Sequence, residues 1–212
     1  VSARSRTPSA LLAVRGRLDP VRRWAERGLL PVWLVPDVAW TLVVPAGDAG
    51  GAADAGSPYD DPVTLLGGRP LPSALRPSLL LVADPERAVL VVHDRARRAE
   101  QRWLVWVAGA GAQRVDELPY APPAAVAQLC GLDPRDAGLR AALADDARRP
   151  VDVVDDLLRA LRLPGAGLPL GAVRAEHLPG AVLVEPDARV VDRFTRHVQH
   201  EAHLAAQLED PR

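Results

Sequence analysis

The chain has 212 residues, 48% hydrophobic and 25% charged, ordinary proportions for a globular protein with one sizeable core. Its 26 basic residues meet 27 acidic ones for a net charge of −1, which excludes the strongly basic field of a dedicated nucleic-acid binder. No apolar run approaches the roughly 18 residues of a membrane span, and Ala10 to Val14 is too short for a secretory-signal core, so the expectation is a cytoplasmic protein.

In chain order, Ser9 to Arg27 reads as a helix. Leu11, Leu12, Leu18, Val21 and Trp24 recur at helical spacing, Gly16 and Pro20 weaken or divide it, and Gly28 is a natural stop. Residues 31–45 hold two β-rich runs around Pro36-Asp37 and read as a hairpin, with Val38, Trp40, Leu42 and Val44 on one core face. Residues 46–77 form a long Gly/Ala/Asp- and Pro-rich loop whose first half favours disorder, with a short strand or packed turn at Pro62 to Leu66. Strands are predicted over Ser78 to Val82, Ala88 to His93 and Arg102 to Val107, with a weaker one from Gln113 to Asp116.

From Pro122 onward helical patterns dominate. Helices are expected from Pro122/Pro123 to Cys130, Pro134 to Ala147 and Val151 to Leu163. A short strand from Ala181 to Val184 then leads to a last helix beginning near Pro186. In that helix Val191, Phe194, Val198, Ala205 and Leu208 form an apolar stripe. The fold expected is α+β: an N-terminal helix, an antiparallel sheet of five or six strands, and a helical C-terminal part packed on one face or end of the sheet. Residues 1–120 supply the helix and sheet region, and 121–212 the mainly helical region, within one compact domain.

Lys, Asn, Ile and Met are absent, and residues with GC-rich codons dominate, as expected of a very GC-rich bacterial genome such as an actinobacterial one. Val1 then reads as a GTG start codon translated literally. Arg carries all the positive side-chain charge for this reason, so its abundance is no sign of phosphate binding. The missing lysine does constrain mechanism. It removes the P-loop lysine, the protein-kinase strand lysine and the Schiff-base amine of pyridoxal-phosphate enzymes and aldolases. The missing Asn removes a Cys-His-Asn triad, and six Ser with no G-x-S-x-G argue against an ordinary serine hydrolase. Cys130, the single cysteine, allows no internal disulfide and reads as a small buried hydrophobe. No cofactor is expected.

Three groups of residues remain as candidates. His197, His200 and Glu201 span about 100° of the last helix, close enough for two imidazoles and a carboxylate to approach one metal ion. The competing reading is a solvated face, because His200 and His203 point away from the apolar stripe and H-E-x-x-H is absent. Residues 123–147 resemble a helix-turn-helix carrying Arg135 and Arg140, but Gly138 weakens the second helix and Asp133, Asp136, Asp145 and Asp146 would repel phosphate. Residues 1–27 carry seven Arg against Asp19 and Glu26, which an exposed basic terminus explains.

Gly109-Ala-Gly111 lacks the third glycine of a dinucleotide loop and reads as a hairpin turn, and the paired aspartates at 60–61, 145–146 and 155–156 read as structural. Trp33, Trp40, Trp103 and Trp106 all fall on strands, with Trp103 and Trp106 on opposite faces. At least one of the four is then expected off the core, under a helix or at a protein interface, where Trp is enriched, with core packing as the competing reading. The function expected is a non-catalytic protein-interaction or accessory module, binding another protein or a second copy of itself. The rival readings are a DNA-binding regulator and a metal-dependent enzyme.

Overall fold

Residues Ala10 to Val14 form an unbroken apolar run, and each is at most 3% exposed. Such a run suits a strand buried on both faces, where alternation disappears because neither side meets water. The computed structural model, which describes residues 9–46, 59, 61–95 and 101–209, places them in such a strand, β1 (Ser9–Arg15). A helix, α1 (Leu18–Glu26), follows, then the hairpin β2 (Val32–Pro36) and β3 (Trp40–Pro45), and a short helix α2 (Pro62–Gly67). A meander of β4 (Ser78–Ala83), β5 (Arg87–His93), β6 (Arg102–Val107) and β7 (Gly111–Gln113) comes next. The remainder is α3 (Pro123–Leu129), α4 (Ala137–Ala144), α5 (Pro150–Ala160), the short strand β8 (Val182–Val184) and the long α6 (Ala188–Glu209).

The strands form one eight-stranded sheet, ordered β7-β6-β5-β4-β1-β3-β2-β8, and every neighbouring pair is antiparallel. β1 lies in the middle and joins the meander to the hairpin. Its Leu12 stands opposite Leu80 of β4 on one side and Val43 of β3 on the other. Odd positions of β1 enter one core and even positions the other. Leu11 and Ala13 pack with Leu42, Leu79, Leu81, Leu90 and Trp106 beneath Val126, Leu139, Leu157 and Leu158 of α3, α4 and α5. Leu12 and Val14 pack with Leu34, Val43, Leu80 and Val91 beneath Val21 and Trp24 of α1 and Leu66 of α2. The architecture is α+β with helices on both faces of an antiparallel sheet. Among the described residues no helix is long and apolar enough to cross a membrane.

Several expectations are corrected here. The helix read over Ser9 to Arg27 is a strand followed by a shorter helix. Spacing alone cannot separate a doubly buried strand from a helical face, and the break falls at Gly16, one of the two residues that weakened the pattern. The sheet has eight strands rather than five or six because β1 belongs to it and β8 pairs with β2 at its edge. Pro62 to Leu66 is helical, since Asp61 accepts from Val63 N at 3.2 Å and Thr64 N at 2.9 Å ahead of a first-turn proline. The weak strand predicted from Gln113 is the slightly earlier β7. Val38, expected on the core face, is fully exposed at the hairpin tip. Of the loop expected at 46–77, residues 47–58 and 60 lie outside the described residues. The rest packs through Leu66, Leu71 and Leu75.

Asp155 shows what an acidic pair does in this fold. It is fully buried on α5, pairs with Arg159 one turn on, and accepts from Gly167 N in the connection between α5 and β8. That connection also packs tightly on the sheet. Gly165 has φ +94°, and a Cβ there would stand 2.4 Å from Leu42 Cδ2. Asp155→Ala leaves the Gly167 N–H without its acceptor and is expected to cost about 1–3 kcal/mol. Asp155→Asn, which keeps an acceptor, should cost less. Urea unfolding monitored by circular dichroism measures both.

Candidate functional site

The enzymatic candidates come first. Ser78 and His93 stand opposite one another on β4 and β5, facing the α1 side of the sheet, and both are buried. A nucleophile and its base must share a hydrogen bond. Among the described residues Ser78 Oγ and His93 Nδ1 have no hydrogen-bond partner, while His93 Nε2 contacts Gln101 Nε2 at 3.0 Å. Burial, and then the charge of Arg76, hold His93 below its ordinary pKa of 6.5. Asp94 is engaged by Arg102 at 3.2 Å. Cys130 is no better placed, because burial pushes its thiol up to about 12 against a weaker opposing pull from Arg15.

On α6, His197 Nε2 lies 3.3 Å from Glu201 Oε1, so two of the three residues considered for metal do meet. His200 is exposed apart from them, and His203 contacts Gln207. Among the described residues no three His, Cys, Asp or Glu side chains converge as a cation site. Arg140 is exposed on α4, an eight-residue helix whose Leu139 and Leu143 pack on the sheet. Arg135 lies in the turn before it, its backbone N–H held by Asp133 Oδ1 at 2.8 Å. Trp40 and Trp106 are core residues, 5% and 0% exposed. Trp103 is half-buried on the α1 side, and Trp33 is half-buried on the other, opposite the exposed Leu183 of edge strand β8.

The feature that sequence reasoning missed is a groove of about 370 Å³ between the end of α1, α2 and the start of α6. Leu29, Leu65, Val190 and Phe194 give it apolar walls, and Tyr59 meets Phe194 edge-on with ring centroids 5.0 Å apart. Two arginines also line it. Arg69 lies over the Trp24 ring at 4.1 Å and donates to the Trp24 carbonyl, capping the last turn of α1. Burial, and then the nearby Arg27 charge, lower the Arg69 guanidinium to about 10, so it remains a cation at neutral pH. Gly28 between them permits this approach, because a Cβ there would stand 2.6 Å from Arg69 Nη1. Nothing in spacing or periodicity links residues 27, 69, 190 and 194. The weak sequence signal was Gly28, read only as a helix stop.

His93 gives a test of the polar cluster. Its folded-state pKa lies below that of the unfolded chain, so between those values the unfolded state binds more protons. Its contribution is fully present above about pH 6.5 and is lost as pH falls through the depressed value. His93→Gln should therefore flatten the fall in melting temperature between pH 7 and about 5.5. A variant curve parallel to that of the parent would contradict this assignment. No known family model, curated protein or solved structure matches this chain.

Proposed function

We propose that this chain is a non-catalytic protein-interaction module that uses the distal half of α6 to contact another protein or a second copy of itself. The supporting observation is how little of α6 the rest of the protein covers. The helix has 22 residues, and its first turns are seated by Val190, by Phe194 against Tyr59, and by Asp187 N donating to Glu26 O at 2.7 Å. Beyond Val198 every described side chain is exposed, including Leu204 at 45%. An isolated helix of fewer than about 12–15 residues is marginal in water, so a surface contact would stabilise this half considerably. The stripe that seats Phe194 and Val198 continues to Ala205 on the same face, the pattern by which helices dock on apolar partners.

Leu204→Glu provides the test, because a substitution at an exposed site changes folding stability by only about 0.5 kcal/mol. The parent chain is expected to self-associate in sedimentation velocity, or to retain a stoichiometric partner through purification, and the variant to lose that association with an unchanged melting temperature. A parent chain that is monomeric at all concentrations and retains no partner overturns the proposal.

A further inference from the structure

We infer that the groove at the root of α6 binds a small amphiphilic anion, with its apolar body between Leu29, Leu65, Val190 and Phe194 and its carboxylate or phosphate head on Arg27 and Arg69. The site is independent of the distal half of α6 and does not rest on the interaction reading.

Charge is the first argument. Two guanidinium groups sit side by side at an otherwise apolar groove, and among the described residues neither forms an ion pair with a carboxylate. Three of the described acids on the flanking elements have other partners. Glu26 pairs with Arg22 at 3.1 Å, Asp61 caps α2, and Asp187 Oδ1 accepts from Arg189 N at 2.8 Å. The Arg27 charge adds to burial in disfavouring the half-buried Arg69 cation, and a bound anion relieves it. Guanidinium forks match the paired oxygens of a carboxylate or phosphate.

Shape is the second argument. The volume falls at the lower end of the range typical of small-molecule sites. At about 30 Å³ per water-sized group it has room for about twelve non-hydrogen atoms, the size of decanoate. The walls come from three separate elements, so a ligand there bridges the body of the protein to α6. Gly28 shapes the head-group end, where a side chain would displace Arg69.

The probes are decanoate, decyl phosphate, the neutral analogue decanol, and inorganic phosphate, titrated calorimetrically into the full chain. Saturable binding of decanoate or decyl phosphate at one site is expected, with decanol at least about tenfold weaker and phosphate alone weaker still. The tighter of the two anions identifies the head group. Arg69 also caps α1, so Arg69→Gln risks the fold. Arg27→Gln, at an exposed position, is the primary variant and should weaken decanoate about tenfold while leaving decanol unchanged. Phe194→Ala should weaken both. Amide hydrogen exchange in the first turns of α6 should slow on decanoate binding in the parent chain. The inference is overturned if decanol binds as tightly as decanoate, if Arg27→Gln leaves decanoate affinity unchanged, or if no anion saturates below about 1 mM.

Discussion

The structure depends on β1 being paired along both edges and covered on both faces. Among the described strands it alone joins the β4–β7 meander to the β2–β3 hairpin, so the continuous sheet exists because one apolar segment fits between β4 and β3. Filling both faces of that strand with Ala and large aliphatics leaves no side of the sheet that can face water. The helices must then divide. α3, α4 and α5 cover one face, and α1 with α2 covers the other. Fully burying a Leu or Val side chain is worth about 1.5–3 kcal/mol, and this one strand commits Leu11 to one core and Leu12 with Val14 to the other. An antiparallel sheet with one wet face would place either Leu11 and Ala13 or Leu12 and Val14 in solvent.

That division also sets where the accessible features lie. On the α3–α5 side the covering helices are continuous in sequence and their inner faces are consumed by the sheet. On the other side the cover is assembled from two short helices separated by a long stretch of chain. The junction at Gly28 and Arg69 is closed by one guanidinium rather than by interlocking aliphatic side chains. The groove forms where that cover meets the root of α6. A cation used as a structural stopper is expensive to bury, so this junction depends on the carbonyl and indole that receive it.

The sequence conveyed some of this and hid the rest for identifiable reasons. The β4–β6 meander was legible because β-branched and aliphatic runs alternate with turn chemistry. Asp84, for example, accepts from Glu86 N and Arg87 N in the β4–β5 turn. Gly109 and Gly111, both at positive φ, do close the β6–β7 turn. β1 was not legible, because a strand buried on both faces loses the period of two that identifies strands, and Leu11, Leu12 and Leu18 mimic a helical face. α2 was obscured because its signals, a capping Asp and a first-turn proline, occur within a stretch crowded with both residue types. The tryptophans were assigned to strands correctly, but their burial depended on which helices lay above them, as the contrast between Trp106 and Trp103 shows.

The groove was invisible to sequence reasoning for a deeper reason. The abundance of Arg in this chain follows from the absence of Lys, so no individual arginine carries a signal until its neighbours are known. Arg22, Arg87, Arg149 and Arg159 each lie within four residues of a carboxylate partner and could have been paired from spacing alone. Arg69 could not. Its contacts are a carbonyl and an indole 45 residues earlier in the chain, with a second arginine beside it. Local sequence accounts for the arginines paired within a turn, and tertiary structure is needed to find one whose described partners lie far along the chain.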